Sequence, residues 1–195
     1  MENEKRMAGD YEITNSFHIG DREIVIGENF ADAGHPYMVA YCDRNELFAK
    51  YYDVMTSVDY TEIVKLYGER ICSQAELVLK SNKELDLPAT VISKDDCVPD
   101  DYRKSINGKV IAINPDTLRN EYRRADRQLY LVTGGFGAEA NSRGSAVFCK
   151  NLHTGENTRF ERRDVLGEVK PDRLPDWAKE AIKKQKKKKH KDRER

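Results

Sequence analysis

The stretch from residue 128 to residue 165, QLYLVTGGFGAEANSRGSAVFCKNLHTGENTRFERRDV, constrains the fold more than any other part of the chain. Three short runs rich in Val, Phe, Tyr and Thr, at 129–132, 145–149 and 157–161, are separated by glycine-bearing breaks. Runs of that length and composition between turn residues form strands. In the third run Phe160 is the lone apolar residue among polar neighbours, which suits a strand with one buried face. The second break contains Gly155, which can take the positive φ of a tight turn between Leu152 and Phe160. The stretch therefore predicts three antiparallel strands, the last two joined as a hairpin.

The first break, residues 134–144, is too long for a tight turn and holds four glycines. Three of them, Gly134, Gly135 and Gly137, fall within four residues, as in loops whose bare backbone cradles an anion. The pattern is not GxxxxGK[ST], and no helical periodicity follows to supply a helix N-terminus. A mobile hairpin loop with glycine chosen for conformation is the competing reading. Phe136 can either tuck into the core or face a ligand, and the planar fork of Arg143 can grip a phosphate or carboxylate. Gly134, Gly135, Phe136, Gly137, Asn141 and Arg143 are accordingly candidate binding residues.

The N-terminal half reads as strands followed by a helix. Residues 1–10 are polar and predict a disordered start. Residues 11–19 and 22–27 alternate around Gly20-Asp21 as a hairpin, 37–42 is a well-buried strand, and 47–54 is another. From about 58 to 82, Ile63, Leu66, Tyr67, Arg70, Ile71, Gln74, Leu77 and Val78 recur at helical spacing, with Ser57 or Asp59 as the cap. Between the halves, 89–92 predicts a short extended piece, and the acids at 95, 96, 100 and 101 suit caps and turns better than a calcium loop. Residues 109–113 are a strand, 117–122 a helical turn and 164–169 a last strand. Pro175-Asp176 opens a short amphipathic helix that Trp177 should dock on the sheet. The fold class is α+β: a mainly antiparallel sheet with one long helix over 11–84, a second β-rich half with a C-terminal helical strap over 85–182, and a disordered Lys/Arg-rich tail over 183–195.

The formal net charge is zero, but residues 179–195 carry ten Lys and Arg against three acids, or +7. The rest of the chain, with 24 basic and 31 acidic side chains, carries −7. Ten cations in seventeen residues repel one another, which is the basis for expecting a disordered tail. A tail that includes Lys186, Lys187, Lys188 and Lys189 has the composition of a polyanion binder. Arg123, Arg124 and Arg127, and Arg159 and Arg162, are further candidate phosphate contacts. The four cysteines and four histidines are scattered, with no CxxC or HExxH, so the pattern specifies no metal, no cofactor and no catalytic residue. No apolar run approaches the ~20 residues that span a bilayer and no signal-peptide core follows Met1, so the expected location is cytoplasmic, without membrane partners.

Several blocks in order carry a resemblance: YEITNSFHIGDREIVIGENF, PYMVAYCDRNELFAKYYDVMTSVDYTEIVKLYGERICSQ, CVPDDYRKSINGKVIAI and YRRADRQLYLVTGGFGAEANSRGSAVFCKNLHTGENTRFERRDVLGEVKPDRLPDWAK. Over roughly residues 11–181 the chain resembles small proteins and domains encoded on conjugative transposons of Gram-positive gut bacteria. The resemblance implies a role in transfer, maintenance or evasion of host defence, and assigns no catalytic residues. Three functions follow as expectations. The first is a non-catalytic nucleic-acid-binding module using the tail and arginine clusters. The second is a protein-binding inhibitor of a host defence system, of anti-restriction or anti-CRISPR type, in which the acidic body mimics a polyanion and the partner is a host or element-encoded protein. The third is a nuclease or hydrolase built around His153 and the glycine-rich loop.

Overall fold

The computed structural model describes residues 5–44 and 48–193, with side-chain surroundings up to residue 184. The fold is α+β with two antiparallel sheets. The chain divides into two compact units, Met1–Asp86 and Leu87–Arg195, two residues beyond the boundary expected at 84/85.

The first unit is a five-stranded meander in sequence order: β1 (Met7–Ala8), β2 (Tyr11–Ile19), β3 (Arg22–Glu28), β4 (Tyr37–Arg44) and β5 (Ala49–Ser57). It is followed by α1 (Tyr60–Glu84). The carboxylate of Asp59 caps α1 by accepting from the Thr61 N–H at 2.7 Å. Ile63, Leu66, Tyr67 and Ile71 pack on Ile24, Ile26 and Val39 of the sheet, which is the stripe that the helical spacing predicts. Gln74 continues it by donating to Asp21 at 2.9 Å, whereas Leu77 is 53% exposed, so the last turns of α1 project beyond the buried stripe.

Opposite the helix, Glu23, Cys42 and Tyr51 stand side by side across β3, β4 and β5. The expectation of a disordered start fails for residues 5–10, because the N-terminal segment folds onto this row. Arg6 makes a two-pronged contact with Glu23 at 2.6 and 2.8 Å and donates to Tyr51 and Cys42, while Ala8 is buried against Val25 and Met38. Composition misses this because one guanidinium ties together three groups that are far apart in the sequence.

The second unit is a six-stranded antiparallel sheet. Its strands are β6 (Cys97–Pro99), β7 (Val110–Ile113), β8 (Leu129–Gly134), β9 (Ala146–Asn151), β10 (Asn157–Glu161) and β11 (Val165–Val169), ordered β10-β9-β8-β7-β11-β6. The three strands expected in 128–165 pair antiparallel, as β8 with β9 and β9 with β10. One face carries Ile111, Ile113, Tyr130, Val132, Val147 and Cys149 in a single cluster with Phe160 against it. The other carries Ala112, Leu129 and Leu131, covered by Trp177, Ala178 and Ile182 of α3 (Asp176–Arg193). The tryptophan therefore docks the strap as expected, its ring edge-on to His153 at 5.8 Å.

Two local expectations give way in this unit. The 89–92 piece is irregular, because the buried Gln128, in the single turn α2 (Ala125–Gln128), takes both the N–H and the carbonyl of Ile92, the groups that a ladder would use. The segment expected as a tail continues the strap as far as Arg193, where α3 ends, and residues 194–195 lie outside the described residues. Lys, Arg and Gln are good helix formers, and the docked turns at Trp177–Ile182 supply the nucleus that an isolated tail would lack. All four cysteines are free, with Cys42, Cys97 and Cys149 buried and Cys72 exposed. Burial pushes the thiols of Cys97 and Cys149 up to about 11 and about 12.

The Arg6 contact holds the Glu23 carboxyl below the usual carboxylate range. A carboxylate with a depressed folded-state pKa contributes stability that is full above its unfolded value of about 4.3 and is lost as the pH falls through the folded value. Chemical denaturation from pH 7 down to pH 3 should therefore show stability falling below about pH 4.3, and Glu23→Gln should flatten that fall. An unchanged acid limb in Glu23→Gln would remove Glu23 as its cause.

Candidate functional site

The glycine-rich loop packs closely on the sheet. After β8 the backbone takes positive φ at Gly134 and Gly135 (154° and 103°) and then makes one 3-10 turn, Phe136–Ala138. A Cβ on Gly135 would lie 2.3 Å from the Ala146 carbonyl oxygen, and one on Gly137 would lie 2.2 Å from that of Ser145. Backbone at that distance has no flexible end to yield, so these glycines serve close packing of the loop on β9. This is the physical reason against a phosphate cradle at Gly135 and Gly137, whose faces are spent on protein backbone, whereas Gly134 has open space at its Cβ position.

The loop is also pinned from outside. The Ala138 carbonyl accepts from the Ile106 N–H at 2.9 Å and the Ser105 hydroxyl at 3.0 Å. Asn141, itself at positive φ, donates its N–H to the Tyr102 carbonyl at 2.8 Å. Arg162, only 2% exposed, donates to the Gly137 carbonyl at 2.7 Å, grips Asp100 with two prongs at 2.7 and 2.8 Å, and bonds the Lys104 carbonyl at 3.2 Å. Its guanidinium lies over the Tyr102 ring, 5.2 Å from the centroid. Arg162 is thus corrected from phosphate contact to internal clamp. The sequence hides this because the partner, Asp100, is 62 residues away.

The other arginines sort by what already holds them. Arg124 is largely buried, bonded to Asp126 at 3.0 Å and to the Leu87 carbonyl, so it too is withdrawn as a ligand contact. Arg127 lies against the Tyr122 ring and within 3.7 Å of Asp126, and Arg123 bonds the Leu118 carbonyl and faces Asp116 at 3.8 Å. The 123–127 cluster is therefore a folding unit with its own acids. Arg143 is exposed and has no hydrogen-bond or ion-pair partner among the described residues. Lys186, Lys187, Lys188 and Lys189 lie on the α3 backbone, and their side chains lie outside the described residues.

What the structure does bring together lies on the sheet face that carries α3. Side chains alternate along a strand. With Val147 and Cys149 in the opposite cluster, Phe148 and Lys150 point to the α3 side. The register places Gly134 beside Phe148 on β8 and Arg159 beside it on β10. Gly134 offers no side chain, so the Phe148 ring is left uncovered on that flank and is 49% exposed. Arg159 is exposed at 58% and bonds Glu161. Lys150 lines a shallow cleft with Trp177 and Lys184 of α3. Phe136 is 79% exposed on its pinned turn, so it does not plug the core, and the buried Ala138 takes that place. Sequence reading passes over Phe148 and Lys150 because the strand containing them looks like core, and only the register with Gly134 uncovers the ring.

Charge divides along the unit boundary. Residues 1–86 hold 9 basic and 17 acidic side chains, net −8, and residues 87–195 hold 25 and 17, net +8. The acidity of the body lies in the first unit, and the face with Phe148 belongs to the basic one. Among the described residues no group of three His, Cys, Asp or Glu is placed to hold a metal ion. His153 is exposed, its ring edge-on to Trp177. Among the described residues, no helix is long and apolar enough to cross a membrane. No protein-family model, curated protein or solved structure matches the chain.

Three substitutions test the clamp and the loop. Arg162→Lys keeps the charge but not the fork. It should destabilise the protein by about 3 kcal/mol, on the scale of breaking a buried pair. Gly137→Ala should lower the melting temperature, whereas Arg143→Ala should leave stability within ~0.5 kcal/mol. Thermal melts of the three variants check this, and a native-like Gly137→Ala would mean the loop backbone is free to move.

Proposed function

We propose that this protein is a non-catalytic nucleic-acid-binding accessory protein of a mobile element, acting in the cytoplasm. The observation that carries the reading is the α3 face of the second unit. There an exposed aromatic, Phe148, stands next to Arg159 and two residues from Lys150, which shares a cleft with Lys184 of α3, the helix that carries most of the +7 segment. A polyanion gains from such a surface by releasing counterions, and an aromatic ring gives it something that a simple charge patch lacks. The net charge of +8 on this unit supports the same reading. The mobile-element setting rests on the sequence blocks over residues 11–181.

A protein partner, as for an inhibitor of a host defence system, is the second reading. Its support is the −8 of the first unit together with Val54 and Met55, about half exposed on the edge strand β5.

Titration of the full chain against a fluorescent oligonucleotide at about 50 and 200 mM salt separates the two readings. Binding should weaken steeply with salt, and Lys150→Ala and Arg159→Ala should each weaken it and reduce the salt slope by about one. Absence of binding at the lower salt overturns the nucleic-acid reading and leaves the protein partner.

A further inference from the structure

From the two exposed phenylalanines we infer that the ligand of the second unit is a single strand, held by stacking of its bases on Phe148 and Phe136. This rests on the nucleic-acid reading above and narrows it to one substrate class.

A duplex presents phosphates and groove edges and keeps its base faces inside the stack, so it has little use for an aromatic ring on a protein surface. A single strand exposes those faces, and stacking works for every base. Phe148 is set for this. It projects from the middle of a three-stranded ladder whose backbone is fixed, with a glycine on one side and a cation on the other. The Thr133 hydroxyl further ties β8 to β9 by donating to the Phe148 carbonyl at 3.1 Å. Phe136 stands at the same end of the strand pair. The backbone of its neighbour Gly135 packs against the segment from Ala146 to Phe148. Phe136 is presented on a turn whose next two carbonyls are both bonded, Gly137 to Arg162 and Ala138 to Ile106 and Ser105. An exposed ring on a fixed backbone has little conformational entropy to lose on binding.

Cations lie where the phosphates of a stacked strand would need them. Arg159 is directly across from Phe148, Lys150 is two residues along the same strand, and Arg143 is near the end of the Phe136 loop with no competing acid bonded to it. Glu161 holds Arg159 in the free protein, so a bound phosphate replaces a carboxylate there. Neither ring has hydrogen-bonding atoms to read a base edge, so this site binds without strong sequence preference.

The test measures anisotropy of the full chain with labelled oligonucleotides of about 12 residues, as oligo(dT), oligo(U) and a duplex of equal length. Both single strands should bind at least tenfold more tightly than the duplex. Phe148→Ala should weaken single-strand binding by about 5- to 150-fold without lowering the melting temperature appreciably, since the ring is half exposed. Phe148→Trp should retain binding, and Phe136→Ala should weaken it in the same direction. Preference for oligo(U) or oligo(dT) assigns RNA or DNA as the source. If duplex and single strands bind equally and Phe148→Ala changes neither, the stacking site is wrong while the nucleic-acid reading stands. If none of the three binds at about 50 mM salt, both fall.

Discussion

The second unit depends on one ion pair. Arg162 sits at the end of β10, yet its guanidinium reaches three places that no ladder connects: the Asp100 carboxylate, the 101–104 turn and the Gly137 carbonyl. An ion this deeply buried is tolerated only when its donors are satisfied and its charge is paired. Here Asp100 pairs the charge and carbonyls take further donors. The reward is geometric. The loop that follows β8 is held in place, because its Gly137 carbonyl belongs to the clamp and its Gly135 and Gly137 are pressed on the Ser145–Ala146 backbone. Exposure of Phe136 follows from this, since a looser loop would let the ring fold back onto the apolar surface beside it.

The two units solve different electrostatic problems. In the first, an excess of acid is spread over the meander and α1, and one sheet face holds the paired Arg6–Glu23 contact. In the second, the excess of base is concentrated in one helix, and the sheet itself is nearly balanced. A chain whose formal charge sums to zero therefore carries a dipole written along its length. Net charge alone conceals it, and a division into folding units reveals it.

The sequence makes the architecture legible wherever periodicity is strong. The strands at 11–28, 37–44 and 129–161 and the helix at Tyr60–Glu84 follow alternation and helical spacing, which are local signals. It misleads where a distant side chain decides a local outcome. Gln128 diverts the backbone of Ile92, Arg6 orders an otherwise polar terminus, and Trp177 nucleates a helix through lysines. The candidate site shows the same limit. Charge flags Arg124 and Arg162, yet Asp126 and the distant Leu87 carbonyl hold the first and Asp100, 62 residues away, holds the second. Phe148, meanwhile, looks like core until the pairing register sets a glycine beside it.

The buried thiols turn the fold into its own clock. With Cys149 buried and its thiol pushed well above the usual range, the folded protein offers little thiolate at neutral pH. Alkylation of that sulfur thus waits for the sheet of the second unit to open, whereas the exposed Cys72 on α1 reacts without any opening. Cys42, under the Arg6 clamp, keeps the corresponding time for the first unit. A single labelling reaction resolved by cysteine therefore reads the opening rates of the two units side by side, in an unmodified chain and with no engineered probe.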